Sequence, residues 1–222
     1  LKERCVERKP EVVTHLDTQY RMNEEIMRFS SSWFYDGKVK AAPITAHRGI
    51  LDYDTPIEWV DDVANDDETV GETFVGETFG RINKVEARQV MELLQAYFEK
   101  IGKQRIIDES IDVGIISPYR AQVQYLRHLI KKEAFFKPFR HLLSVNTVDG
   151  FQGQERDVII VSLVRSNNDG QIGFLRDLRR MNVAMTRARS KLIIIGDHET
   201  LAHHEFYKKL YEYIKKHKTD NF

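Results

Sequence analysis

Residues 144–167 read SVNTVDGFQGQERDVIIVSLVRSN, and this stretch decides the fold class. A strand-like start gives way to a polar loop holding Gly150 and Gly153, and the chain then enters the apolar run 158–164. A run that is apolar at consecutive positions suits a strand covered on both faces, as in parallel sheets packed between helices. The two glycines allow positive φ or close backbone approach to a ligand. Loops at the carboxyl ends of parallel strands are where open α/β sheets bind ligands. Taken alone, the same loop reads equally as a tight turn trimmed with polar side chains.

Similar β-type runs occur at 57–60, 113–117, 142–145 and 192–195, with a weaker one at 12–16. Helical patterns separate them. Asn83 followed by Glu86 has the form of an N-cap with a capping box. Val85, Val90, Leu93, Leu94, Tyr97 and Ile101 then recur at helical spacing and give one apolar face. Further helices are predicted to start near Asn23, to follow Pro118, and to cover about 178–189 and 203–217. Strands alternating with helices predict an α/β fold whose mostly parallel sheet is sandwiched by helices. At 222 residues, the expectation is a single domain over 1–222, with 49–82 as an acidic surface segment of one edge strand and a loop.

No apolar run reaches the roughly 18 residues of a membrane-spanning helix, and LKERCVERKPEVV lacks the apolar centre of a signal peptide. A single cysteine, Cys5, excludes an internal disulfide and fits a reducing compartment. The cytoplasm is the expected location, or the nucleus in a eukaryote. Formal charges cancel, with 34 Lys+Arg against 34 Asp+Glu. The balance is an average over unlike parts. Residues 49–80 hold ten acids and no Lys or Arg, so the remainder carries a formal +10. Neutrality therefore does not argue against a polyanionic partner, and the acidic stretch is expected to turn away from it.

Two motifs fail on inspection. Residues 71–78, GETFVGET, have P-loop spacing, but Glu77 stands where a lysine must neutralise phosphate charge. The tandem repeat VGETFVGETF reads as a loop. His198, Glu199, His203 and His204 resemble a zinc motif, yet His198 and His203 are five apart, about 140° around a helix. A structural or solvated role is expected for them, and no metal site is predicted. Cys5, in a charged segment, reads as inert.

Three segments look chemical. In LDTQYRM, at 16–22, an aromatic and an arginine just before a helix can stack a base and reach an anion; alone, the arginine reads as a solvated charge. The second segment is the loop of 144–157. The third, 176–191, holds Arg176, Arg179, Arg180, Arg187, Arg189 and Lys191. A solvated basic helix is the bland reading, but arginine is also the residue that stabilises charge on a transferring phosphoryl group.

Together these segments resemble the motifs of the second RecA-like domain of superfamily 1 helicases, in the branch with the nonsense-mediated-decay RNA helicase and the immunoglobulin mu-binding helicase. LDTQYRM is similar to the motif IV region, ISPYRAQV at 116–123 to the next motif, and NTVDGFQGQERDVIIVSLVRSN at 146–167 to motif V. RRMNVAMTRARSKLIIIGD, at 179–197, is similar to motif VI.

The resemblance implies a RecA-like sheet of the P-loop NTPase type without its own P-loop. Tyr20 matches the aromatic beside adenine, and Arg21 matches an arginine reaching the γ-phosphate. Glu155, with the Gly153 backbone, matches the position meeting ribose and phosphates. Arg187 matches the arginine finger. Ser117, Tyr119 and Thr147 match positions that contact the nucleic-acid backbone or couple it to ATP; Arg165, Asn167 and Arg189 lie in matching segments without a firm role. Implied partners are single-stranded DNA or RNA and an N-terminal RecA-like domain of the same protein, with ATP as the nucleotide and Mg2+ held by that other domain. No P-loop lysine, metal-binding Asp–Glu pair or motif III stands upstream of Leu16. The expectation is thus a C-terminal part of a longer helicase, monomeric and inactive alone. The competing reading is a nucleic-acid-binding or regulatory module that kept the fold and lost the motor.

Overall fold

A computed structural model describes residues 16–62, 71–76 and 80–219. The weak run 12–16 falls almost wholly outside these residues, as does Cys5. In chain order the elements are β1 (Thr18–Gln19), α1 (Glu24–Phe34), β2 (Lys40–Ala41), α2 (Pro43–Ala46), β3 (Ile57–Val60), β4 (Thr73–Val75), β5 (Gly80–Ile82), α3 (Lys84–Ile101), α4 (Lys103–Asp108), β6 (Val113–Ile116), α5 (Arg120–Lys132), β7 (Leu143–Asn146), β8 (Arg156–Ser162), α6 (Leu178–Met185), β9 (Ala188–Ile195), α7 (His198–Leu201) and α8 (Glu205–Thr219). Single 3-10 turns lie at Lys137–Phe139, Asp149–Phe151 and Gly173–Arg176.

Five strands form one parallel sheet in the order β3-β9-β8-β6-β7. The consecutive apolar residues of its central strands feed two cores. Ile159, Val161, Leu192 and Ile194 point to one face, where Ile26 and Phe29 of α1, Met181 and Met185 of α6, and Phe206 and Leu210 of α8 cover them. Val158, Ile160, Ile193 and Ile195 point to the other, beneath Val90, Leu94 and Phe98 of α3 and Val123 and Leu126 of α5. Each such side chain stabilises the fold by about 1.5–3 kcal/mol when fully buried. Layers of this kind are what the strand–helix alternation predicts.

Local signals set several boundaries. Asn23 caps α1, accepting from the Glu25 N–H at 2.8 Å, and Asn83 caps α3, accepting from the Glu86 N–H at 3.0 Å. The capping box closes only halfway. Glu86 does not turn back to the Asn83 N–H, which donates instead to Gln122 Oε1 at 3.0 Å. The fully buried Glu86 carboxylate accepts from Ser162 Oγ at 2.6 Å and from the Val164 N–H at 2.7 Å.

The helix expected over 178–189 stops at Met185, and β9 begins at Ala188 rather than Leu192. Pairing with β8 overrides the helical pattern, since the Arg156 N–H donates to Arg187 O at 3.0 Å. Arg189 and Lys191 therefore stand on a strand and not on a phosphate-facing helix. Arg189 pairs with Asp112 at 2.9 Å and Asp157 at 3.3 Å. Lys191 is buried, bonded to Asp54 at 2.7 Å and paired with Glu58. The GETFVGETF repeat is not simply a loop: Thr73–Val75 pairs antiparallel with Gly80–Ile82.

Gly114 of β6 faces Ile159 and Phe151. A Cβ there would stand 2.7 Å from Ile159 Cδ1 and 2.8 Å from Phe151 Cε1, both on fully packed side chains. Gly114→Ala should lower unfolding free energy by about 1–3 kcal/mol, read as an earlier denaturant midpoint.

Candidate functional site

The sequence-derived site residues fall at two ends of the sheet. Parallel pairing of β8 with β9 aligns their amino ends, so Glu155, just before β8, and Arg187, just before β9, are neighbours. The turn before α1 joins them. Arg21 pairs through Nε with Glu155 Oε2 and donates from Nη1 to Thr186 O at 3.0 Å. Arg187 donates from Nε to Val183 O at 3.0 Å and from Nη1 to Gln154 O at 3.1 Å. Burial holds the Arg187 guanidinium below its usual pKa; Arg21 adds repulsion and Glu155 partly offsets it. Two guanidiniums beside one carboxylate leave the cluster a net cation, suited to an anion with several oxygens. Gly153 lies exposed with φ of +80°, and Tyr20 is 70% exposed.

Two side chains that the sequence reading passed over shape this end. Gln19 Oε1 accepts from the N–H groups of Arg21 at 2.8 Å and Met22 at 2.7 Å, fixing the turn that presents Arg21. Arg48 Nη1 donates to Arg21 O at 2.9 Å. Gln19 stands inside the quoted LDTQYRM, whereas Arg48 has no local signal.

The loop of 147–155 was expected at the carboxyl ends of strands, and only its beginning is there. It leaves the carboxyl end of β7 at Thr147 and crosses β6 to the amino end of β8. Gly153 and Glu155 therefore lie at the opposite end from Thr147, because a parallel neighbour must be re-entered at its start.

Thr147 opens a groove of about 620 Å³ at the carboxyl end, also lined by Arg81, Pro118, Arg120, Gln124, Phe174 and Arg180. Its Oγ1 accepts from the Gly150 N–H at 3.4 Å. Ser117 and Tyr119 do not present polar atoms to that groove. Ser117 is fully buried and its Oγ accepts from the Tyr119 N–H at 3.4 Å. Tyr119 is 6% exposed, with its ring 5.7 Å from that of Phe174. Burial raises the Tyr119 pKa, and the Arg165 guanidinium partly offsets this. Its exposed lining groups include Phe174, at 66%, Arg120, Gln124, Asp149 and Arg180.

Arg165 stands under the groove. It pairs with Glu72 at 2.5 Å and contacts the Tyr119 hydroxyl, and a Cβ added at Gly173 would collide with it. The residue before it, Val164, has φ of +72°, an uncommon strain for a β-branched side chain. The Glu86 carboxylate accepting from the Val164 N–H holds that corner. Asn167 closes a turn on the Gln171 N–H at 2.9 Å. The histidines are engaged too: His198 lies 2.8 Å from Asp61 and stacks on Tyr211, and His203 meets Glu199 O at 3.0 Å. Among the described residues, no helix is long and apolar enough to cross a membrane.

A family model described as an AAA domain matches residues 1–199. The chain belongs to this family, within the superfamily 1 helicases. This AAA domain is 37% identical over 222 residues to an uncharacterized ATP-dependent helicase of Methanocaldococcus jannaschii, an alignment covering 96% of this chain and 31% of that protein. It is 39% identical over 209 residues to the DNA polymerase alpha-associated DNA helicase A of Saccharomyces cerevisiae, covering 87% of this chain and 29% of that protein. With DNA-binding protein SMUBP-2 of Rattus norvegicus it shares 33% identity over 213 residues, 93% of this chain and 20% of that protein. The AAA domain thus spans under a third of the length of these relatives. The family read from the motif segments is borne out.

Burial raises the Glu86 carboxyl well above its usual range, against hydrogen bonds from Ser162 and Val164 that lower it. A carboxyl whose folded pKa lies above its unfolded pKa contributes stability below the unfolded value and loses it as pH rises through the folded one. Glu86→Gln removes this loss. Its stability relative to the parent chain, measured by urea unfolding, should therefore improve steadily from about pH 4.5 upward; a difference independent of pH would contradict the assignment.

Proposed function

We propose that this AAA domain is the second motor domain of an ATP-dependent nucleic-acid helicase or translocase, with the nucleotide at the amino end of β8 and β9 and a single strand at the carboxyl end of β6 and β7. The observation that carries the reading is the convergence of Arg21, Glu155 and Arg187 from three distant segments into one cationic cluster. A binding module with no motor has no need of such a cluster.

When bound, ATP would supply the scissile γ-phosphate, and Mg2+ would offset the charge that develops there. Arg21 and Arg187 would hold the phosphate end, Tyr20 offers a ring for the base, and the Gly153–Glu155 turn meets the sugar and phosphates. Glu155 is committed to Arg21, and Mg2+ would be held by an N-terminal RecA-like domain that completes the cleft. An arginine finger contributes about 10³–10⁵ in rate, or roughly 4–7 kcal/mol of barrier.

Two segments connect the ends. The 147–155 crossing begins at Thr147 and finishes at Glu155. Helix α6 begins over the groove, where Arg180 pairs with Asp149 at 3.4 Å, and ends one residue before the turn to Arg187. Its eight residues span about 12 Å. Cleft closure that drew in Arg187 would therefore pull on the groove, which is how a phosphate switch becomes a step along a strand.

In the full-length protein, Arg187→Ala should lower ATP turnover by about 10³-fold or more, and this chain by itself should show no turnover. Turnover by the chain alone, abolished by Arg187→Ala, would sink the two-domain reading. Thr147→Ala should weaken single-strand binding more than ATP binding, and Arg21→Ala the reverse. Equal loss of both in each variant would contradict the separation of the ends.

A further inference from the structure

The acidic segment was expected to turn away from nucleic acid, yet part of it borders the groove. The β4–β5 hairpin contributes Val75, Gly80 and Arg81 to the groove wall facing Arg120 and Gln124 of α5. A Cβ at Gly80 would already meet the Ala121 methyl at 3.0 Å, so the hairpin packs directly on the start of α5. We propose that this hairpin is a strand-binding arm: a single-stranded nucleic acid passes between Arg81 and Arg120, with Phe74 and Phe174 offering rings to its bases. The proposal rests on the function given above and names the contacts of its strand-binding end.

Charge supports it despite the acids nearby. Among the described residues of the hairpin the acid is Glu72, and it is engaged: it pairs with Arg81 at 2.7 Å and with Arg165 at 2.5 Å, its side chain 8% exposed. One carboxylate between two guanidiniums leaves the trio at +1, and Arg120 adds an exposed charge with no ion pair among the described residues. Across the groove Asp149 is neutralised by Arg180 at 3.4 Å. The wall is thus cationic although the segment around it is acidic, and phosphates are the complementary ligand.

Geometry supports it as well. The Arg81 guanidinium carbon lies over the Phe74 ring, 4.2 Å from its centroid, which places Phe74, 58% exposed, beside the groove-lining Arg81. Phe174 presents a second exposed ring, backed by Tyr119. Exposed aromatics interleaved with arginines along a groove are the usual platform for single strands, because every base has a face to stack. The arm is docked and not loose. The Glu72 N–H donates to Ser166 O at 3.3 Å, Gly71 at φ of +100° permits that approach, and the buried Glu72–Arg165 pair ties the arm to the loop after β8.

The test uses this chain with a fluorescent single-stranded 15-mer, as oligo-dT and as oligo-U, followed by ultraviolet cross-linking and mapping of the modified peptides. Cross-links should appear within 71–76 or 80–82, as well as near Phe174. Arg81→Ala and Arg120→Ala should each reduce the slope of log affinity against log salt by about one. Phe74→Ala, at an exposed position that leaves the core intact, should weaken binding roughly fivefold or more, and the loss should vanish when the 15-mer is abasic. Binding with cross-links confined to residues after 116, and with salt slopes unchanged in Arg81→Ala, would overturn the arm while leaving the strand-binding end in place. Absence of binding to either 15-mer at low salt would overturn both.

Discussion

Parallel strands that pair must begin at the same end of a sheet, and β8 and β9 are bound by this rule. With Ile159 opposite Leu192 and the Arg156 N–H on Arg187 O at 3.0 Å, the residues before both strands are held side by side. Glu155 and Arg187 need no loop design to meet; the ladder delivers them. Arg21 is then brought in because the Asn23 N–H donates to Arg189 O at 2.8 Å, docking the start of α1 on β9. The same rule forces the chain leaving β7 to cross back before β8 can begin, which separates Thr147 from Glu155.

Acids of the 49–80 segment act as internal counter-ions. Asp54 and Glu58 hold Lys191, Asp61 meets His198 at 2.8 Å, and Glu72 holds Arg81 and Arg165. Lys191 and Arg165 are almost fully buried, and stripping a partner from a buried ion pair costs about 3–5 kcal/mol. These four described carboxylates are therefore used inside the protein, and the pair that reaches the groove presents Arg81 there. The buried Glu86 does parallel work on the backbone, since its carboxylate supports the strained Val164 beside Arg165.

Features with a local cause were legible in the sequence. The strand at 57–60 follows from its own apolar pattern, and Asn23 and Asn83 cap helices through bonds to residues two or three positions away. Features with a distant cause were not. Arg189 and Lys191 read as helix charges until β8 drew them onto a strand, and their acids lie far away in sequence. Glu86 reads as a capping-box residue because Ser162 and Val164, its actual donors, are invisible to local spacing. At the candidate site, the motif segments supplied Arg21, Glu155 and Arg187 by resemblance; Arg48 and the Arg81 arm have no motif to announce them. Ser117 and Tyr119 lie in a matching segment, yet both are buried, Tyr119 behind the Phe174 ring and Ser117 bonded to the Tyr119 N–H.

The central claim is that the two ends of the sheet work as one device, joined by the 147–155 crossing and α6. Its most direct test is single-strand affinity of the full-length protein, with and without a non-hydrolysable ATP analogue, in the parent and in Arg187→Ala. Site coupling of ordinary size shifts affinity by about fivefold or more. The account predicts such a shift in the parent, and in Arg187→Ala its loss with the nucleotide-free strand affinity retained. A shift that persists undiminished in Arg187→Ala would contradict it.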